Sequence, residues 1–512
     1  MALPTVDTVF TNARVLTLEP RRPTADLLGI RGGRVALVGE REDLGGALAP
    51  GVRAVDCQGG VLLPAFHDAH LHLLALASRL LAVDAAPPAV RSLRDLKDAI
   101  ARRTRETPPG GWVRAWGYRE GALAEGRHPT RHDLDEAAPH HPVRLVHGSG
   151  HASVLNSPAL ASVGIGRETP DPPEGVIERD RHGEPTGLFL ELDDWLDKRI
   201  PPLPEETLVQ GLKKAVRLLL SQGVAGVQDA TAANDLERWR LFRRLRERGA
   251  LPLRAVFFPG LLGLHPFRER GMRFGQGDEG LRLGHAKLLL TMTTGALYPP
   301  QEEVVERVQE AAASGWPVAL HAVEAEAVEA AAEAIAGARP RGPFLPHRIE
   351  HASECPDALL PKITGSGAWA VTNPAFLYHS GDRYRKDVPP ERQGWLYRIG
   401  SFQKAGVPVA FGSDAPVELP APFLGLYGAT TRRSAGEEAL LPQEAVPIGD
   451  ALRMHTLEAA KAGGWRDLGL LREGFKADLV LLDKDPTQAE PEALQEIKVW
   501  MTVVGGKTVW QA

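Results

Sequence analysis

A chain of 512 residues is too long for one ordinary hydrophobic core, so a large domain with smaller additions is expected. A net charge of −5 and a pI near 6.4 give no overall basic excess, so nothing points to nucleic acid or a membrane surface as partner. The two cysteines, Cys57 and Cys355, exclude a disulfide scaffold and fit a reducing, cytoplasmic home.

The opening MALPTVDTVFTNARV has neither the basic nor the apolar region of a signal peptide, and LHLLALASRLLAV is too short and interrupted to span a bilayer. The abundance of proline (42 residues) and the excess of arginine over lysine fit a thermophile or a GC-rich genome equally. The first sixty residues read as short strands, DTVFTNARVLTL, DLLGIRGGRVALVGE and RAVDCQGGVLL, with a hairpin at Gly32-Gly33. A strand is predicted at 61–70, and the next only at 223–230. The roughly 150 residues between are too many for a loop, and hold pieces such as SLRDLKDAIARRTRE and PVRLVHGSGHASVLN. They read as an inserted subdomain, 73–205.

Strands at 253–258, 285–291, 317–323, 347–352, 368–374 and 407–415 follow, with helices at 208–223, 302–315 and 324–337 among them. Eight strands alternating with helices give an α/β fold, a (β/α)₈ TIM barrel over 61–455. An insertion after the first strand emerges at the barrel's C-terminal face and is expected to roof the pocket there. ADLVLLDKD (477–485) and EIKVWMTVVGGKTVW (496–510) again read as strands, with a Gly505-Gly506 turn. Residues 1–60 and 456–512 are therefore expected to pair into one small β-domain.

Residues that carry chemistry sit at the strand ends. His70 and His72 have the same parity in their strand, so both imidazoles face one way and can bind one borderline-soft divalent metal. Asp68 shares that parity and is the expected orienter, while His67 falls on the other face as a structural residue. His321 ends PVALHAV, His351 ends HRIEHA and Asp414 follows the strand in VAFGSDAP. Lys287 lies among Leu288, Leu289 and Leu290, where an ammonium must reach solvent, pair with an anion or lose its charge. The insertion offers His151, Trp116 and Tyr118 as pocket-lining candidates. The histidines at 128, 132, 140 and 141 read as surface or loop residues, and Trp112 as packing within the insertion.

This order of residues resembles the metal-ligand set of the amidohydrolase superfamily, and VLLPAFHDAHLH, GHASVLNSPAL, GVIERDRHGEPTGLFLE, HRIEHAS, FGSDAPV and REGFKADLVLLDKDP are similar to segments of its family 3. The resemblance covers nearly the whole chain. It implies that His70 and His72 bind the more buried metal with Asp414, that His321 and His351 bind a second, and that Lys287, if carboxylated, bridges the two. It implies one or two divalent ions, with zinc first and iron, manganese or nickel open, and a small β-sandwich built from both chain ends. The implied chemistry is hydrolysis of a C–N bond other than a peptide bond, of the amide, N-acyl or N-formyl type. A metal-activated hydroxide attacks, and Asp414 serves as general base and then acid.

Three departures from the family pattern stand out, the first two on loops at the catalytic face. Thr291-Met292 stand where the family has Asp-Gly after the strand lysine, Glu324-Ala325 stand where it has Gly-Asp after the strand histidine, and Ala65 replaces a glycine. Glu324 thereby becomes a substrate-contact candidate, and a mononuclear site stays open. Hydrolytic deamination, ester or phosphoester hydrolysis, and a metal-binding scaffold without turnover are the alternatives. The expected partner is a small-molecule substrate, with no nucleic acid and no membrane, and a homodimer is among the assemblies left open.

Overall fold

The protein is represented by a computed structural model that describes residues 6–44, 51–338 and 346–512, so residues 1–5 and 45–50 of the 1–60 segment lie outside it. The chain divides into two compact units. One holds the chain up to His72, Val216–Leu290 and everything from Gln301 on; the other holds Leu73–Ala215 together with Thr291–Pro300.

The alternating strands of the first unit form two parallel sheets. In the first, Leu281–Leu283, Arg254–Phe257, Val224–Asp229 and Phe66–Leu71 lie in that order; in the second, Ala286–Leu289, Val318–Ala322, Arg348–His351, Trp369–Thr372 and Val409–Phe411 follow one another. These strands are buried along nearly their whole length, as parallel strands covered on both faces must be. Helix Gln301–Ala313 turns Val304, Val308, Ala311 and Ala312 inward, one apolar stripe at helical spacing. Backbone bonds cross from sheet to sheet at two seams. Asp414 N donates to His70 O (2.8 Å) and His72 N to Ala415 O (2.7 Å); at the other seam Gly284 N donates to Phe257 O (2.7 Å) and Lys287 N to Pro259 O (2.8 Å). Close approach at the first seam needs Gly412, where a Cβ would lie 2.6 Å from His70 N. The short strand Leu281–Leu283 has no counterpart in the sequence reading, which began the strand at 285.

A second difference concerns the run at 61–70. It is two strands, because Ala65 breaks it: Val61–Pro64 pairs antiparallel with Leu479–Leu482 and parallel with Arg14 and Val15, and Phe66–Leu71 pairs with Val224–Asp229. Val61–Pro64 thus sits in a six-stranded sheet made from both chain ends, with Lys507–Gln511 at one edge and Arg22–Ala25 at the other. A four-stranded sheet of Arg34–Gly39, Leu27–Arg31, Thr8–Thr11 and Arg53–Asp56 shares a hydrophobic cluster with it, including Phe10, Val15, Leu28, Leu62, Leu479 and Val503. Both expected glycine turns are present, with positive φ at Gly32 (56°), Gly33 (77°), Gly505 (54°) and Gly506 (76°). They pack on each other so tightly that a Cβ on Gly33 would lie 2.7 Å from Gly505 O.

The second unit has its own six-stranded sheet, in the order Val176–Arg179, Pro185–Leu190, Ala152–Leu155, Val143–His147, Val113–Tyr118 and Val83–Asp84. Its core joins Leu96 and Ile100 of helix Leu93–Glu106 to Val113, Leu145 and Val154 of the sheet. Ser92 caps that helix, accepting a bond from Asp95 N at 3.1 Å.

Candidate metal centre

His70, His351 and Asp414 are buried, and ligand atoms from all three lie within 4.8 Å of one another. Each is aimed by a second residue. Asn373 Nδ2 donates to Gly412 O at 3.0 Å, which fixes the amide so that its Oδ1 accepts from His351 Nδ1 at 2.8 Å. His351 Nε2 is then left with its lone pair, buried and without a hydrogen-bond partner among the described residues. Burial, above all else, lowers its pKa to about 3, so the ring is neutral and fit to coordinate.

His70 is held in a similar way. Its Nδ1 bonds Glu350 Oε2, and its Nε2 lies 3.4 Å from Asp414 Oδ1. Two acceptors facing each other at that distance are stable only with a cation between them, whether a proton or a metal ion. His72 is less buried; its Nδ1 meets Thr231 Oγ1 at 3.0 Å and its Nε2 meets the same Asp414 oxygen at 3.1 Å. For Asp414, burial raises the pKa, but the bonds from His70 and His72 outweigh it and hold the carboxyl well below the usual range.

The backbone at two of these residues is strained. His351 has φ 67° and Asp414 has φ 59°, left-handed values that cost a non-glycine residue about 1 kcal/mol or more. Arg348 and Glu350 share one face of their strand, and His351 closes it in this left-handed conformation.

The other predicted residues are placed as follows. Lys287 is buried, its Nζ has no hydrogen-bond partner among the described residues, and burial lowers its pKa to about 8 against the pull of Glu350 and Asp414. His321 is half-buried, its ring 4.5 Å from that of His351, edge to face. Glu324 immediately precedes helix Ala325–Ala336 and does not cap it through its side chain. Asp68 Oδ1 accepts from Ser413 N (2.9 Å) and His70 N (3.2 Å), tying the backbone of one ligand to the loop before another, and burial raises its pKa to about 6. His67 points away, against Gly226, where a Cβ would lie 2.2 Å from its Nδ1.

Within the insertion unit, His151 Nδ1 lies 2.8 Å from Glu191 Oε2. Tyr118 is in that unit's core with its hydroxyl 2.9 Å from His128 Nδ1, which takes His128 out of the surface class where the sequence reading put it. Trp116 is half-buried, and Trp112 packs on a neighbouring cluster. His132 and His140 are exposed, and His141 is half-buried.

The sequence reading missed Glu350, Arg348, Asn373 and Thr231. A signal was available for the first two. Opposite charges two apart on a strand that is otherwise apolar mark a buried ion pair. Arg348 Nε meets Glu350 Oε1 at 2.7 Å with both side chains fully buried. Asn373 and Thr231 carry no such mark, because only the fold brings them to the imidazoles.

Known proteins resemble this chain over most of its length. The sequence profile of the amidohydrolase family matches residues 53–510. The N-substituted formamide deformylase of Arthrobacter pascens is 30% identical over 98% of this chain and 97% of its own length. A putative amidohydrolase of Bacillus subtilis (strain 168), YtcJ, is 28% identical over 90% of this chain and 91% of its own. Among solved structures, an uncharacterized metal-dependent hydrolase from Pyrococcus horikoshii superposes with a TM-score of 0.76 at 25% identity, over 95% of this chain and 99% of its own. These likenesses carry a TIM-barrel α/β fold and a divalent metal requirement.

Proposed function

Since the chain belongs to amidohydrolase family 3 and is a hydrolytic enzyme acting on C–N bonds, we propose that it cleaves N-formyl or other N-acyl amides of small molecules at the His70–His351–Asp414 cluster. The convergence of these three buried groups within 4.8 Å is the observation that carries the reading of the site. The substrate class is supported by the deformylase relative, which matches over nearly the full length of both chains.

The donors suit zinc, being neutral imidazoles and a carboxylate, with His70, His72 and Asp414 as one ligand set and His321 and His351 as the other. A divalent cation held there supplies Lewis acidity, making water more acidic and a carbonyl more electrophilic. Lys287, if its neutral amine took up CO2 and released a proton, would as a carbamate offer anionic oxygen donors to these ions. Its readiness is supported by a pKa of about 8, which leaves more neutral amine than an exposed lysine has at pH 7. Asp414, ionised at rest, accepts the proton of the attacking water on its carboxylate and delivers it to the leaving nitrogen, which cannot depart as an amide anion. His351 stays neutral and oriented through Asn373, and His70 is oriented through Glu350.

The eight strands, counting Leu281–Leu289 as one interrupted strand, are read as the barrel ring, and the two sheets of the chain ends as its β-sandwich. Glu324, immediately ahead of helix Ala325–Ala336, is the substrate-contact candidate on the first unit. A cytoplasmic setting is supported by two free, buried cysteines. Among the described residues no helix is long and apolar enough to cross a membrane. The test is metal analysis of the purified protein followed by assay on a panel of N-formyl and N-acyl amines. Amine and acid release supports the reading; ammonia release moves it to deamination; a loaded protein that turns over none of the panel refutes it.

A further inference from the structure

Resting on the metal-site reading, we propose that Glu350, held in place by Arg348, is the positioning residue that makes His70 a ligand. The geometry begins with Arg348, which is fully buried and spends its guanidinium inside the protein. Its Nε and Nη2 reach the two oxygens of Glu350 at 2.7 and 2.8 Å, its Nη2 also donates to Ala69 O at 2.7 Å, and its Nη1 donates to Gln228 Oε1. Gln228 is fixed in turn by donating from Nε2 to Ala459 O at 2.6 Å. One guanidinium therefore grips both the peptide just ahead of His70 and the carboxylate that meets the His70 ring.

Stability alone does not account for such a pair. Two charges taken from water into a core lose about as much solvation as they regain, and apolar residues of the same size hold such a place as well or better. What the pair does supply is direction. Glu350 Oε2 accepts the Nδ1 proton of His70, so the remaining lone pair lies on Nε2, on the side of Asp414 and His351. A carboxylate on Nδ1 also makes the imidazole a stronger donor, because it stabilises the positive charge the ring gains on coordination. Asn373 gives His351 a neutral amide acceptor instead. The two buried imidazoles are thus unequal, with His70 the stronger ligand.

The experiment uses the full-length protein, stripped of metal with a chelator and titrated with zinc(II) and cobalt(II) in competition with a chromophoric chelator. Glu350→Gln keeps the shape and removes the charge. Zinc binding is expected to weaken roughly tenfold to a hundredfold, the visible absorption band of the cobalt form to change, and the unfolding midpoint of the metal-free protein to stay within a few degrees. The double variant Arg348→Met/Glu350→Leu removes both charges together and leaves neither orphaned. It is expected to fold and to show the same loss of zinc affinity. Zinc affinity and cobalt spectrum equal to wild type in either folded variant overturn the role of Glu350 while leaving the metal site standing. A wild-type protein that binds neither ion overturns both.

Discussion

Histidines serve two different ends in the two compact units. In the first, His70 and His351 each use one ring nitrogen on a protein partner and turn the other toward Asp414 in a buried space. In the insertion, His128 meets the Tyr118 hydroxyl, His147 Nε2 lies 2.8 Å from Glu120 Oε2 with Nδ1 2.7 Å from Ser149 Oγ, and His151 meets Glu191. The residue type is the same, and the difference is whether folding satisfies it. A buried nitrogen left unbonded costs about 1–3 kcal/mol; His67, His285 and His347 of the same unit also keep one, but among the described residues only those of His70 and His351 converge with a carboxylate where a ligand recovers the cost. The paired insertion histidines instead contribute to the fold.

Four measurements test that contrast. Asp414→Asn is expected to lower kcat on an N-formyl substrate by roughly 10²–10⁴-fold, the worth of a positioned acid–base group, whereas His147→Asn leaves kcat within about threefold of wild type; steady-state kinetics on both decide it. His351→Asn should reduce bound zinc per chain after dialysis, with no such change in His147→Asn, as read by elemental analysis. A zinc content that drops in the insertion variant would erase the distinction.

Acid sensitivity is the third. His67 and His455 are held at about 4 and His351 at about 3, all chiefly by burial. Their folded values lie below the unfolded value near 6.5, so below pH 6.5 the unfolded chain binds more protons. Stability of the metal-free protein should therefore fall as pH drops from about 6.5 to 4, by up to about 1.4 kcal/mol per pH unit for each histidine. Denaturant midpoints that stay flat across this range contradict it. The smallest effect is expected for Tyr118→Phe, which removes one hydroxyl bond within the insertion. It should cost about 1 kcal/mol in denaturant unfolding and leave zinc binding untouched.

Much of the first unit could be read from the residues, because a parallel strand covered on both faces is a continuous apolar run, and a polar residue at its end stands out. His321, His351, Asp414 and Lys287 were visible for that reason. The seam was not: nothing local shows that Gly412 must be small to admit His70. Nor was the break at Ala65, since VLLPAFHDAH is apolar on both sides of it. Asn373 falls inside the strand predicted at 368–374, just past the end of the observed one at Thr372, and its role exists only once the next strand brings Gly412 O to its amide. Glu350 was hidden differently. Its charge two residues from Arg348 marks a buried pair, and only the fold shows that it meets the His70 ring.

That break at Ala65 joins one strand of the composite sheet directly to the strand bearing His70. Ala65 N bonds Asp478 O at 3.1 Å, while Phe66 N bonds Gly223 O at 3.0 Å. Cutting the backbone between Trp465 and Lys476 would leave Val61–Pro64 to recruit Leu479–Leu482 as a separate strand. Turnover would then report whether two polypeptides have met, which is the principle of a split-enzyme sensor.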